Sequence, residues 1–182
     1  MYNLDDIFSE VLITEKQIAN RVSELAEEIN KIYEGKDVIL ISIIKGAIPF
    51  TADLMRKLTG SVRLDCIRIS SYKNSTVGQG EPNFLDRIQV DLKDQNVLLV
   101  DDILDTGATL DRLTKQIVKQ SAASIRSCVL LDKVGRRSVA YEADFSGFDI
   151  PNEFVVGYGL DYAENYRHIP CIGVLKPELY SS

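Results

Sequence analysis

Two features of the 182-residue chain predict an α/β fold with a mostly parallel sheet flanked by helices. Short β-branched runs that are apolar on both faces, Val38 to Ile44 (VILISII) and Val97 to Val100, have the character of strands buried inside a parallel sheet. Segments of helical periodicity alternate with these runs, as crossover connections require. Sheets of this kind bind ligands outside the carboxyl ends of their strands, so the loops at those ends are where chemistry is expected.

Along the chain, Thr14 followed three residues later by Gln17 reads as a capping box, and Ile18, Val22, Leu25, Ile29 and Ile32 then recur at helical spacing until Gly35 closes the helix. Val38 to Ile44 is the first buried strand, ended by Lys45-Gly46. Pro49 suits a first helical turn, and a short helix is expected to run toward Leu58, before Gly60. Val62 to Ser70 alternates in part and reads as a strand, whereas SSYKNSTVGQGEPN after it is polar, aperiodic and expected to be a long, mobile loop. Val97 to Val100 is followed by an acidic turn, then by a helical stripe of Leu110, Leu113 and Ile117 that ends near Ser121. Ile125 to Leu131 and Phe154 to Gly157 supply further strands, joined by a connection containing Gly and Asp. The ligand-side loops are then Lys45-Gly46, Ser71 to Asn83, Asp101 to Thr109, Asp132-Lys133 and Gly157 to Arg167.

The length suits one domain, 1–182, able to bury roughly two-thirds of its unfolded surface. No apolar stretch approaches the roughly 18 residues of a membrane span. The acidic N-terminus, MYNLDDIFSE, shows neither a basic nor an apolar leader segment, and a cytoplasmic location with no membrane partner is the expectation. Cys66, Cys128 and Cys171 are far apart and beside a single His, and read as ordinary reduced thiols. A net charge of −6 argues against nucleic-acid binding, which draws on clustered Lys and Arg. If the substrate is anionic, a divalent cation is the natural offset.

The segment LLVDDILDTGATL, Leu98 to Leu110, gathers three carboxylates after an apolar run. Acids spaced D-D-x-x-D can form a helical metal comb, but VLLV is a compact apolar block and Gly107 would interrupt a helix just after the acids. The strand-end reading is the better one. Asp101 and Asp102 then close a strand, and Thr106-Gly107-Ala108-Thr109 wraps backbone N–H groups around a phosphate at the start of the next helix. Helix capping needs only one acid, and two more at a buried strand end call for a cation or ligand hydroxyls. Neither a Walker A loop nor a G-x-G-x-x-G motif is present.

VLLVDDILDTGATL resembles the 5-phosphoribosyl-1-diphosphate motif of the type I phosphoribosyltransferases. IIKGAIPF, SSYKNST, LLDKVGRR and DFSGFDIPNEFVVGYGLDYAENYRHIP follow that family's order from Val38 to Leu175, and they are similar to its purine-salvage branch. The resemblance implies that family's fold, with a small hood built from the terminal segments. It also implies Mg²⁺-dependent transfer of the 5-phosphoribosyl group from 5-phosphoribosyl-1-diphosphate to hypoxanthine or guanine, in a homodimer or homotetramer.

Residue by residue, the resemblance assigns Asp101 and Asp102 to the ribose hydroxyls and the metal, Asp161 to the metal and base region, and Asp105 to the catalytic proton acceptor beside N7. Asp105, Thr106, Gly107, Ala108 and Thr109 would hold the 5′-phosphate. Lys45, Gly46 and Arg167 would hold pyrophosphate, the Lys45-Gly46 turn matching one whose peptide bond is often cis. Lys133, Phe154 and Val155 would bind the purine by donation to its 6-oxo group, by stacking and by backbone contact. Ser71 and Tyr72 would belong to a closing lid, where Lys73 replaces a common glycine. Asp101 stands where some relatives carry Glu. Without the resemblance, Lys133 reads as a solvated charge, FVVG as core and Tyr72 as a loop aromatic. His168, with no second His or acid at catalytic spacing, reads as a surface or packing residue. The rival readings are a nucleotide-sensing RNA regulator on the same fold, and a xanthine- or pyrimidine-preferring enzyme.

Overall fold

The computed structural model describes residues 3–70 and 83–180. Ser71, Tyr72 and Lys73 lie outside the described residues. After a short 3₁₀ turn at Leu4–Asp6, strand β1 (Phe8–Ile13) leads into helix α1 (Glu15–Ile32). There follow β2 (Val38–Ile44), α2 (Ile48–Met55), β3 (Val62–Ser70), β4 (Asn83–Phe84), β5 (Asn96–Leu104) and α3 (Ala108–Val118). The chain closes with β6 (Ser124–Lys133), β7 (Phe145–Ile150), β8 (Val155–Val156), β9 (Ile172–Leu175) and a 3₁₀ turn at Pro177–Leu179.

The main sheet has the order β4-β3-β2-β5-β6-β7. Its pairs from β3 to β7 are parallel, and only β4 runs antiparallel, against β3. Successive side chains of the buried strands point to opposite faces. Leu40, Leu98 and Leu130 therefore meet Val22, Leu25 and Ile29 of α1 and Phe50 and Leu54 of α2. Ile39, Ile41, Val97, Leu99 and Val129 meet Leu110, Leu113 and Ile117 of α3 on the other side. This is the reason VILISII lacks a polar face: both of its faces are covered.

The first helix begins as expected. Gln17 N–H donates to the Thr14 hydroxyl at 3.3 Å, and Thr14 N–H donates to the Gln17 side chain at 2.9 Å. Helix α2 stops at Met55 rather than continuing to Leu58, because Lys57 N–H and Leu58 N–H bond only three residues back, to Leu54 and Met55. Strand β5 extends beyond Val100 through Asp101 and Asp102 to Leu104, since β6 is long enough to pair with it up to Asp132. The acids thus lie within the last turn of a ladder instead of closing it.

Two expectations about strands are corrected. Phe145–Ile150, read as connection, is edge strand β7, steadied by Arg21 of α1, which donates to the carbonyls of Ser146 at 2.8 Å and Gly147 at 3.0 Å. Val155–Val156 does not extend the parallel sheet. It joins β1 and β9 in a separate antiparallel sheet of order β1-β9-β8, which is the hood. The hood has its own apolar cluster of Phe8, Val156, Ile169, Cys171 and Leu175, while Ile13, Val155 and Ile172 reach into the core under α1. No helix among the described residues is long and apolar enough to cross a membrane.

Thr14→Ala removes the side-chain half of the capping box. It is expected to cost about 1 kcal/mol and to lower Tm by about 2–4 °C, as read by thermal denaturation followed by circular dichroism; an unchanged Tm would deny the cap that role.

Candidate active site

The carboxyl ends of β2, β5 and β6 and the loop after β8 enclose two adjoining cavities. The larger, of about 440 Å³, is lined by Lys45, Gly46, Asp101, Asp102, Asp105, Thr106, Gly107, Thr109, Asp161 and Arg167, with a few apolar neighbours. The smaller, of about 230 Å³, is lined by Asp102, Ile103, Asp105, Lys133, Phe154, Val155, Leu160 and Asp161. Asp102, Asp105 and Asp161 face both. Of the residues expected at the site, those described all line one cavity or the other except Ala108, whose N–H turns to the Thr106 hydroxyl at 3.4 Å.

The turn expected to hold phosphate follows from Gly107. Its φ of +81° takes the chain from the strand end into α3, and a Cβ there would meet Tyr141 at 3.0 Å. Gly107 precedes Ala108 as N-cap and has no side chain to cap α3, so apart from Ala108, whose N–H meets the Thr106 hydroxyl, the backbone N–H groups of the first turn are left for an anion. The loop after β6 anchors the turn from outside, with Ser138 N–H donating to the Thr106 carbonyl at 3.0 Å.

Asp101 is nearly buried, and its Oδ1 accepts the N–H of Asp102 at 3.0 Å. Burial and the neighbouring Asp102 charge push the Asp101 carboxyl well above the usual range, and burial raises Asp102 as well. Gly46 is required here for space: a Cβ would run into the Asp102 carboxylate. The cis bond at this corner joins Ile44 to Lys45, one residue before the expected Lys45-Gly46 bond.

Among the described residues no three His, Cys, Asp or Glu side chains stand together as a ready-made metal cage. Asp101, buried, and Asp102, half-buried, nonetheless form a pair of acceptors whose repulsion a cation would relieve, and Asp161 faces the same cavity. That donor set suits Mg²⁺, which typically takes one or two carboxylates and completes its shell from substrate phosphates and water.

Lys45 and Arg167, the cations of the larger cavity, are both engaged. Arg167 donates to the Gly159 carbonyl at 2.7 Å and pairs with Asp161 at 2.8 Å and Glu164 at 3.3 Å. Lys45 pairs with the same Glu164 oxygen at 2.9 Å. Glu164 went unnoticed in the sequence, although the spacing Asp161-x-x-Glu164-x-x-Arg167 puts an acid where it can reach back to the arginine. Lys45 and then Arg167 hold its carboxyl below the usual range. Arg136, also unassigned by the sequence reading, donates to both Asp105 oxygens, at 2.9 and 3.4 Å. Burial lowers the Lys133 ammonium, against the opposing pull of Asp105. Phe154 stacks on Tyr180, with centroids 5.1 Å apart, and meets Tyr162 edge-on at 5.8 Å. All three cysteines are free thiols.

A family model described as "Phosphoribosyl transferase domain" matches residues 11–163. The chain is 44% identical over 171 residues to a protein of Listeria innocua named bifunctional protein TilS/HprT, covering 94% of this chain but only 26% of that protein. It is also 44% identical over 179 residues to the hypoxanthine-guanine phosphoribosyltransferase of Streptococcus pneumoniae, covering 98% of this chain and 99% of that one. Among solved structures, a hypoxanthine phosphoribosyltransferase from Staphylococcus aureus superposes with a TM-score of 0.93 at 39% identity, covering 98% and 97% of the two chains.

Two outcomes follow from the charges. A carboxyl raised on folding binds its proton more tightly in the native state, so its contribution to stability falls as pH rises from the ordinary 3.8 through the raised value. Asp101→Asn is therefore expected to raise Tm at pH 8, by about 2–4 °C for each kcal/mol of relieved repulsion, with the gain shrinking toward pH 4. An equal or lower Tm at pH 8 would contradict it. Glu164→Gln releases Lys45 and Arg167, and calorimetry should find inorganic pyrophosphate bound about two- to fivefold more tightly, the scale of an exposed ion pair; weaker binding would make Glu164 a support instead of a competitor.

Proposed function

The chain belongs to the phosphoribosyl transferase family, and on that premise we propose that it carries the 5-phosphoribosyl group from 5-phosphoribosyl-1-diphosphate to N9 of hypoxanthine or guanine, giving IMP or GMP and pyrophosphate. The observation that carries this reading is the pair of adjoining cavities with Asp105 between them, one lined by anion-binding groups and one by an aromatic, a lysine and apolar side chains. The smaller suits a planar heterocycle, and the larger suits a doubly phosphorylated sugar.

Each end of the sugar has its own anchor. Backbone N–H groups of Thr106 to Thr109 take the 5′-phosphate at the start of α3, and the ribose hydroxyls lie toward Asp101 and Asp102. Lys45, the Gly46 backbone and Arg167 take the pyrophosphate, the guanidinium through paired donors. As substrate arrives, its phosphate oxygens replace the Glu164 carboxylate on Lys45 and Arg167. Asp101, Asp102 and Asp161 would hold Mg²⁺, which supplies positive charge to neutralise the departing pyrophosphate. The Asp101 and Asp102 carboxylates favour the positive charge that develops on the ribose as the C1–O bond breaks.

At the base, Phe154 stacks on the ring and Val155 reads its edge through the backbone. The Lys133 ammonium donates to the 6-oxo oxygen, and its half-buried setting strengthens that bond. Asp105 accepts the proton from N7 as N9 attacks C1, once Arg136 has yielded the carboxylate. The reading extends to residues 1–182 acting as one domain, a cytoplasmic location, and a homodimer or homotetramer.

Purified protein incubated with the sugar diphosphate, Mg²⁺ and hypoxanthine, guanine or xanthine in turn is expected to release pyrophosphate and form IMP and GMP. Nucleotide from neither hypoxanthine nor guanine would overturn the reading. Asp105→Asn should lower kcat by roughly 10²- to 10⁴-fold, the usual worth of a general base, while the KM values change far less. Unchanged turnover would remove Asp105 from that role.

A further inference from the structure

The ladder between β5 and β6 ends at the pair Leu104 and Asp132. The next residue along each chain is a proposed substrate contact: Asp105, just past the end of β5, and Lys133, the last residue of β6. Lys133 still pairs with Ile150 of β7, but no ladder bond joins it to Asp105. The separation of these two side chains must therefore be set by something beyond the sheet.

Arg137 stands at that position. Its guanidinium donates to five acceptors: the carbonyls of Leu104 (3.1 Å), Asp105 (2.7 Å), Lys133 (3.2 Å) and Tyr141 (3.1 Å), and the Asp132 carboxylate. Two of these belong to the end of β5 and two to the end of β6. Arg137 and Asp132 are both mostly buried, with side-chain exposures of 23% and 16%. A planar fork of five N–H donors can span two strand ends at fixed geometry, and an ammonium cannot. Arg137 does not line the cavity that holds Asp105, Lys133 and Phe154. It grips two of that cavity's polar groups, Asp105 and Lys133, from behind, through their backbones.

We propose that Arg137 is a positioning residue for base recognition, holding the Asp105 carboxylate and the Lys133 ammonium at the spacing between N7 and the 6-oxo oxygen of a 6-oxopurine. This rests on the reaction proposed above. Losing Arg137 leaves the carbonyls of Asp105 and Lys133 without their common donor, and the two chain ends part. The contact most exposed to that change is the one from Lys133 to the 6-oxo group. Discrimination for that group should then fall, beyond any general loss of activity.

The test compares kcat/KM for hypoxanthine with that for unsubstituted purine, which lacks the 6-oxo oxygen, in the wild type, Arg137→Met and Arg137→Lys. Wild type should prefer hypoxanthine strongly. Arg137→Met should lower hypoxanthine kcat/KM by roughly 10- to 100-fold, the effect of a small misplacement, and reduce the preference ratio by roughly tenfold, because a mispositioned donor no longer rewards the oxygen. Arg137→Lys should fall between the two, and it carries the test alone if the Met variant does not fold. Loss of activity at an unchanged ratio marks Arg137 as scaffolding only and overturns the inference, as does an unchanged hypoxanthine kcat/KM. A wild type inactive on hypoxanthine and guanine counts against the reaction itself, a result distinct from either.

Discussion

Parallel pairing of β5 with β6 runs from Asn96 and Ser124 to Leu104 and Asp132, and the site is assembled where that ladder stops. The strands are held in register by apolar residues on both faces, Leu98 and Leu130 toward α1 and Val97, Leu99 and Val129 toward α3. A slip of one residue would exchange those faces, so burial specifies the register tightly. The same register brings Asp105 and Lys133 to neighbouring strand ends, starts the turn into α3 at Thr106 and buries Asp101 beside Asp102. Chemistry at the strand ends is a by-product of packing in the middle.

That placement carries a cost which the rest of the site offsets. At this strand end burial raises the proton affinity of both carboxylates and the Asp102 charge raises that of Asp101 further, while Lys45 and Arg167 are already paired with acids of the protein. The protein is acidic as a whole, yet its substrate is proposed to be a polyanion. Glu164 on Lys45 and Arg167, and Arg136 on Asp105, resolve this at the level of single groups. Each pairing leaves a charged group satisfied in the free protein, and on the proposed reading phosphate oxygens would take the place of Glu164 and the neutral N7–H donor that of Arg136. The exchange avoids leaving a partly buried charge unpaired, which costs far more than a surface pair contributes.

Much of this was legible because it is local. The capping box at Thr14 and Gln17, the doubly buried VILISII and the change from VLLV to Thr-Gly-Ala-Thr each depend on neighbours within a few residues, and each stands in the structure as read. What escaped depends on partners distant in sequence. FSGFDI carries a glycine and an aspartate, and becomes an edge strand only because β6 and Arg21 supply its bonds. Val155–Val156 has the composition of a buried strand, but two apolar residues carry no direction, and they pair antiparallel with β9. The ions Lys45 and Glu164 are 119 positions apart, and Arg136 and Asp105 are 31 apart. No spacing rule reaches so far. Asp101 and Asp102 are strand-borne, as their place after VLLV predicts, but the strand runs on to Leu104 because its neighbour does, and Asp105 follows its end.

The most direct measurement of the central claim is a crystal structure of the protein with GMP and Mg²⁺ bound. The expected result is a base on Phe154 in the smaller cavity, with N7 within hydrogen-bond distance of Asp105, O6 on the Lys133 ammonium, and the 5′-phosphate on the N–H groups of Thr106 to Thr109. A nucleotide bound elsewhere, or one whose base points away from Asp105 and Lys133, would contradict the claim that the end of the β5–β6 ladder is the reacting centre.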